Sequence, residues 1–98
     1  MGTFHQGKGD LHGITVVVDL KDDRLFVGRC DTVVPDGVVL LDGTMHDAAA
    51  PGKDGNPVSK EAYLAQAVKF GVWKTFDRVL VPADEVASVR PLGDLAGQ

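Results

Sequence analysis

The hydrophobic residues of this chain fall into short runs rich in valine and other β-branched side chains, and a polar or glycine-containing turn follows most of these runs. Runs of this kind predict β-strands. Five are present: Ile14 to Leu20, Arg24 to Val34, Val38 to Asp42 with a continuation to His46, Arg78 to Val81, and Val86 to Pro91. The pattern therefore predicts a mainly β fold, in which five short twisted strands form one small barrel.

The turns between these strands indicate a strongly curved sheet. Gly28 interrupts the long second strand, and a glycine inside a strand usually marks a bulge or a barrel corner. Pro35-Asp36-Gly37 combines a fixed φ, a side chain that can cap the turn and a residue that tolerates positive φ, so a tight turn is expected there. Pro82 to Glu85 is predicted to form a 3₁₀ turn between the last two strands.

One helix is expected between the third and fourth strands. After a loop rich in proline and glycine (Asp47 to Pro57), Ser59 is a suitable N-cap, Lys60 to Phe70 contains good helix formers, and Gly71 suits the residue that closes a helix. The apolar residues of this segment broadly follow helical spacing: Tyr63, Leu64, Ala67, Val68 and Phe70. We predict a helical insert over about 59–70, with one face against the barrel or a neighbouring subunit.

Trp73 and Phe76 extend the apolar cluster of this helix. Lys69, Lys74 and Arg78 are interleaved with the aromatic residues, an arrangement that can also form a base-stacking or partner-binding surface. Aromatic residues at helical spacing usually pack in a core, so packing is the favoured interpretation. Trp73, Lys74 and Arg78 are the candidate residues for the alternative interpretation, a binding surface.

Length and composition describe a single globular domain. The chain has 98 residues, of which 44% are hydrophobic and 24% charged, enough for one core. We assign residues 14–92 to the barrel domain, residues 1–13 to a flexible leader and residues 93–98 to a flexible tail. The formal net charge of −4 argues against a general nucleic-acid coat, because non-specific phosphate binding needs an excess of lysine and arginine.

Cysteine usage and the lack of a targeting pattern indicate the cellular setting. The single cysteine, Cys30, cannot form an internal disulfide and lies in an apolar strand, which predicts a small buried side chain. Residues 1–13 show no apolar signal region, and the longest apolar runs fall far short of the ~20 residues that span a bilayer. A soluble protein of the reducing cytoplasm is the resulting expectation.

No pattern of catalytic, metal-binding or cofactor-binding residues is recognised. Residues 2–9 (GTFHQGKG) nearly match a phosphate-binding loop but end in glycine where that loop has a magnesium-binding hydroxyl, and no strand precedes them. The spacing of His5, His12 and His46 matches no zinc signature. Cys30 has no identifiable base, and the aspartates are scattered through turns. We therefore predict that the protein is not an enzyme, and we expect neither a metal nor a cofactor.

Three segments resemble the Sm-like proteins, the group that includes Sm, LSm and bacterial Hfq rings. They are Phe26-Val27-Gly28, the apolar run from Gly37 to Asp42 and the closing sequence from Val79 to Val89 (VLVPADEVASV). With the strand order, they make the chain similar to this family from Ile14 to Leu92. The resemblance implies an Sm-like or SH3-like five-stranded barrel, a homo-oligomeric ring of about five to seven chains, and RNA as a ligand class.

The two loops that hold a base in this family are altered here. The first, after the second strand, usually supplies an Asp and an Asn, whereas this chain has Asp36 and Gly37. The second, between the last two strands, usually carries an Arg-Gly pair, whereas this chain has Pro82, Ala83 and Asp84. The resemblance makes Asp36, Gly37, Pro82 and Asp84 the candidate ligand-loop residues, but it supports uridine-type RNA binding less than it supports ring assembly.

Two functional hypotheses follow from these patterns. The first is a non-enzymatic barrel that forms a homo-oligomeric ring through exposed strand edges and acts as a binding module, with RNA as one candidate ligand. The second is a structural or adaptor protein whose helix and aromatic cluster dock a protein partner without nucleic acid.

Overall fold

The computed structural model describes residues 12–52 and 55–96 of the chain. Its elements follow one another in this order: β1 (Thr15–Leu20), β2 (Arg24–Val34), β3 (Gly37–Asp47), α1 (Lys60–Phe70), β4 (Phe76–Pro82), a 3₁₀ turn (Ala83–Glu85), β5 (Val86–Pro91) and α2 (Leu92–Ala96). The bounds of β2, β5 and α1 are those that the sequence predicts. β3 extends to Asp47, and β4 begins at Phe76 instead of Arg78.

The five strands form one antiparallel sheet in the order β4-β3-β2-β1-β5. The prediction of a mainly β fold, with five strands and a helix between the third and fourth, is confirmed. β4 and β5 lie at the two edges of the sheet, although only the 3₁₀ turn separates them along the chain. The sheet therefore begins and ends with strands that are sequence neighbours.

The long strands β2 and β3 are in close backbone contact at two glycines, Gly28 and Gly43. Their register shifts between Val27 and Arg29, so Gly28 forms the bulge that the sequence predicts. A Cβ atom on Gly43 would lie 2.2 Å from the carbonyl oxygen of Val27 and 2.8 Å from Cα of Gly28. Glycine at position 43 is therefore required by the contact between the strands, and the bulge beside it bends the sheet.

One face of the sheet carries the main core, which we call the inner cluster. Its buried members are Val16, Val18, Leu20, Cys30, Val38, Leu40, Val81 and Val86. Alternate residues of a strand point to the same face, and this places the three members from β1 side by side. The rings of Phe26 and Phe76 pack against the inner cluster in an edge-on arrangement, with centroids 6.0 Å apart.

The opposite face of β1 and β2 is covered by the two helices. Val17, Leu25 and Val27 are fully buried there and form what we call the outer cluster. The side chains that pack on it come from α1, the loop after α1, and α2: Tyr63, Leu64, Val72, Leu92 and Leu95. Because both faces of β1 are covered at its centre, three consecutive valines, Val16 to Val18, stand there instead of an alternating pattern.

Part of the segment predicted as a flexible tail, residues 93–98, lies in a helix. Residues Leu92–Ala96 form α2, and both Leu92 and Leu95 pack against the outer cluster. These contacts tie down a segment whose composition resembles that of a frayed terminus.

The ends of α1 are formed as the sequence predicts. Ser59 Oγ accepts a hydrogen bond from the Ala62 N–H at 3.1 Å, which caps the first turn. Gly71 adopts a φ of 79°, and its N–H donates to the Ala67 carbonyl at 2.8 Å. The glycine thus ends the helix with a positive φ, which residues with a side chain avoid.

Lys60 fixes the start of α1 to the hairpin between β1 and β2. Its Nζ lies 2.6 Å from Asp19 Oδ1 and donates to the carbonyls of Leu20 and Asp22 at 3.1 and 2.6 Å. Because one ammonium group is shared by three acceptors, the orientation of the helix on the sheet is defined at its first residue.

None of the helices in the described residues is both long enough and apolar enough to cross a membrane. Most of the predicted leader, the phosphate-loop-like pattern of residues 2–9 and His5 lie outside the described residues. The two described leader residues contact β2, since the Gly13 N–H donates to the Cys30 carbonyl at 2.7 Å and the ring of His12 is hydrogen-bonded to the Asp31 carbonyl.

Candidate functional site

The two candidate ligand loops are brought together by the pairing of β3 with β4. Gly37 and Pro82 are opposite each other in the register, and the Ala83 N–H donates to the Asp36 carbonyl at 2.9 Å. We call this unit the turn pair; it comprises the β2–β3 turn at Pro35–Gly37 and the turn at Pro82–Glu85. All four predicted ligand-loop residues therefore lie close together, with Gly37 buried and Asp36, Pro82 and Asp84 exposed around it.

Gly37 is what allows the two turns to lie in contact. Its φ is 154°, and a Cβ atom at this position would lie 1.9 Å from the Val81 carbonyl oxygen and 3.1 Å from the Ala83 nitrogen. A side chain here would push the turns apart. The sequence singles out Gly37 as a turn residue, but the contact across β4 depends on tertiary structure.

The turn pair presents negative charge. Asp36 and Asp84 are exposed, and neither carboxylate forms an ion pair within the part of the chain that the structure describes. The third acid, Glu85, accepts a hydrogen bond from Arg24 Nη2 at 2.7 Å. This surface can accept hydrogen bonds from cationic or neutral donors, and it repels phosphate oxygens.

A second candidate surface is a groove at the C-terminal end of α1, which we call the aromatic groove. Its volume is about 200 Å³, and it is lined by Tyr63, Gln66, Ala67, Phe70, Gly71, Val72 and Trp73. Phe70 is 79% exposed and Trp73 is 89% exposed. Two large aromatic side chains with so little cover are unusual in a chain of this size.

These exposures correct the interpretation that Phe70 and Trp73 pack in the core. α1 ends at Gly71, and Val72 is the residue that the following loop places against the outer cluster. Phe70, two positions before Val72, and Trp73, directly after it, remain exposed. Phe76, in contrast, packs against the inner cluster as expected.

The cations near the aromatic groove differ in their partners. Lys69 Nζ lies 5.8 Å from the centre of the Phe70 ring, within range of a cation–π contact. Lys74 is paired with Asp77 at 2.7 Å and more loosely with Asp42 at 3.7 Å. The hydrogen bond with Asp77 raises the pKa of Lys74 and lowers the pKa of Asp77. Lys74 thus stays protonated in ion pairs with two aspartates, whereas Lys69 has no acidic partner among the described residues.

The predicted binding surface of Trp73, Lys74 and Arg78 is only partly assembled. Trp73 lines the aromatic groove, Lys74 is held in its ion pairs, and Arg78 is exposed on β4, opposite Leu41 of β3. Sequence reasoning missed Gln66 and Val72, which complete the groove. The signal available in the sequence is the helix-closing Gly71 followed by Val72, an apolar residue that packs on the outer cluster while its neighbours stay exposed.

The remaining candidate groups have structural partners. Cys30 is buried in the inner cluster, and this burial raises the pKa of its thiol, which disfavours the reactive thiolate. The His46 ring contacts Tyr63 and the Val58 carbonyl. Within residues 12–52 and 55–96, no three His, Cys, Asp or Glu side chains are placed where they could hold a metal ion.

Comparison with solved structures identifies proteins that have a similar fold. The structure is similar to the Sm protein of Pyrococcus abyssii in complex with a uridine heptamer, with a TM-score of 0.54, 20% identity, and coverage of 91% of this chain and 92% of that chain. It is also similar to a chain of the NatC complex bound to Gag peptide and CoA (TM-score 0.53, 18% identity, coverage 92% and 97%). A chain of the NatC complex bound to CoA gives a TM-score of 0.52 at 17% identity, with coverage of 90% and 91%.

No protein-family model matches the chain, and no curated protein matches it. At identities of 20% and below, the similar structures show the fold alone. The expectation of an Sm-like fold is confirmed: the five strands form one antiparallel sheet with a helix between β3 and β4, and the similarity to the Sm protein covers most of the chain.

Proposed function

We propose that this Sm-like chain is a non-enzymatic, self-assembling protein, in which β4 of one copy pairs with β5 of the next to give a homo-oligomeric ring that acts as a binding module. The observation that carries the proposal is the position of β4 and β5 at opposite edges of one sheet. In the described structure, β4 pairs only with β3 and β5 pairs only with β1. Each edge therefore offers unpaired backbone donors and acceptors to another strand.

The edges are suited to each other in length. β4 has seven residues and β5 has six, and both end in a proline, Pro82 and Pro91. Leu80, on β4, is 44% exposed and would be covered by a neighbouring strand. Because the two edges differ in sequence, the contact is heterologous, and repeating it either closes a ring or builds an open filament. We propose closure, following the ring assembly that the Sm-like resemblance implies.

RNA is the ligand class to test first for such a ring. It is supported by the likeness to the Pyrococcus abyssii Sm protein, whose structure contains a uridine heptamer. The carboxylates of Asp36 and Asp84 on the turn pair oppose it, as does the net charge of −4. We therefore expect weak RNA binding by the natural chain, limited by these two charges.

Gel filtration with light scattering tests the assembly. A homo-oligomer of about five to seven chains is expected, and Leu80→Glu should shift it towards monomer, because a charge on an edge strand opposes pairing. Met45→Glu is the matched control, since Met45 is 43% exposed against 44% for Leu80 but lies on β3, an interior strand. A natural chain that is monomeric at micromolar concentration would overturn the proposal.

Fluorescence anisotropy with labelled heptauridine and heptaadenine tests the ligand, at about 50 and about 200 mM salt. Asp36→Asn combined with Asp84→Asn should bind RNA more tightly than the natural chain, because two repulsive charges are removed from one surface. If neither protein binds at the lower salt concentration, RNA is removed from the proposal while the assembly is judged by light scattering alone.

A further inference from the structure

We propose that the aromatic groove is a docking site for a short peptide segment of a partner protein, which inserts one apolar side chain between Phe70 and Trp73 and places a carboxylate beside Lys69. This inference gives the protein-docking hypothesis a site and a partner class. It does not depend on ring closure, because the groove is formed by α1 and its following loop, and not by the sheet edges.

The size of the exposed surface favours a short segment over a second copy of the chain. Phe70 and Trp73 are 79% and 89% exposed, and an aromatic side chain presents on the order of 150–250 Å² when uncovered. Together they offer roughly 300–400 Å², about half of the ~800 Å² that each partner contributes to a stable protein interface. Two adjacent aromatic anchors of this extent match the few residues that dominate binding of a linear motif.

The volume of the groove indicates what enters it. At about 200 Å³ it is smaller than the roughly 300–1,000 Å³ of a pocket that encloses a cofactor or a drug-sized ligand. Its lining is mostly apolar, with the amide of Gln66 as a polar group that can bond to a peptide backbone. An apolar side chain with its adjoining backbone therefore fits the groove better than a small polar metabolite does.

The charge of the groove edge selects a carboxylate. Lys69 lies against Phe70 and has no acidic partner among the described residues, whereas Lys74 is already paired with Asp77. A single free cation complements one acidic side chain. A nucleic-acid strand would instead need a continuous row of cations beside the stacking rings, and one free lysine does not supply it.

The position of Trp73 provides a direct assay, because it is the only tryptophan of the chain. Peptides are selected from a displayed random twelve-residue library on the immobilised natural protein, with Phe70→Ala used for counter-selection. Enriched sequences should contain a large apolar residue close to an Asp or Glu. Synthetic peptides with these sequences should shift the Trp73 emission to shorter wavelength and protect it from acrylamide quenching.

Variants decide whether binding takes place in the groove. Phe70→Ala should weaken peptide binding by about tenfold or more, and Lys69→Glu should weaken it several-fold, with Lys21→Glu, at an exposed lysine of the β1–β2 turn, as the unaffected control. The proposal is overturned if no peptide depends on Phe70. It is also overturned if heptauridine protects Trp73 and the selected peptides do not, or if dilution of the protein alone changes the emission, which would indicate that a second copy covers the groove.

Discussion

The imidazole ring of His46 lies face to face with the phenol ring of Tyr63, with centroids 4.2 Å apart and planes 6° from parallel. His46 Nε2 also lies 2.7 Å from the carbonyl oxygen of Val58, just before α1. A carbonyl can only accept, so Nε2 carries the proton in this contact. One side chain of β3 thus holds both the approach to α1 and its first turn.

His46→Ala is expected to lower the free energy of unfolding by about 1–3 kcal/mol. The estimate combines an aromatic contact of about 0.5–1.5 kcal/mol with a hydrogen bond of similar net value. Urea denaturation followed by circular dichroism measures the change. His12→Ala is the control, because His12 is exposed and contacts the Asp31 carbonyl at the chain surface; its effect should stay within about 0.5 kcal/mol. Equal losses in the two variants would remove the special role of the stacked pair.

Trp73→Ala is expected to leave the free energy of unfolding within about 0.5 kcal/mol of the natural chain, because Trp73 is 89% exposed. Phe76→Ala is the comparison: Phe76 packs on the inner cluster and on Phe26, so its truncation should cost about 2–4 kcal/mol. The same denaturation experiment measures both. Marked destabilisation by Trp73→Ala would restore the interpretation that this ring belongs to the core.

The contrast between Trp73 and Phe76 shows which structural features can be predicted from the sequence and which cannot. The caps at Ser59 and Gly71 and the bulge at Gly28 are local features, and each was predicted correctly because its signal is carried by the residue itself. Which side of the chain faces the sheet after Gly71 depends on what α1 packs against. That contact is not local, so spacing alone placed Trp73 inside instead of outside.

Tertiary contacts also explain the other differences. Leu92 and Leu95 lie in a helix that is held by their packing against the outer cluster. The residues next to them in the sequence carry no signal for this contact. The turn pair is an intermediate case. The sequence identified both turns, and the contact between Asp36 and Ala83 follows once β3 and β4 are paired.

Gly43→Ala is expected to destabilise the protein by several times the ~1 kcal/mol that a glycine-to-alanine change usually involves. The new Cβ would lie 2.2 Å from the Val27 carbonyl oxygen, and backbone atoms must move to relieve the clash. Gly93→Ala is the matched control, because Gly93 lies in α2 with open space around it. This substitution should stabilise the fold by about 0.5–1 kcal/mol. Thermal unfolding of both variants checks the opposite signs; a mild effect at position 43 would show that β2 and β3 can separate there.

Cys30 is expected to make the stability of the protein fall at alkaline pH. Burial raises the pKa of its thiol in the folded state, so the folded chain holds the proton more tightly than the unfolded chain does. The free energy of unfolding therefore keeps its full value below the ordinary thiol pKa of about 8.5. It falls as pH rises from there through the folded-state pKa, because the thiol of the unfolded chain ionises first. The pKa of Tyr63 is raised by burial as well, but its contribution begins only near pH ~10. Urea denaturation under reducing conditions, between pH 7 and about 9.5, should therefore show a decline that Cys30→Ala removes, even though the variant is less stable at every pH because of the cavity it leaves. An identical decline in the natural chain and the variant would mean that another group titrates in this range.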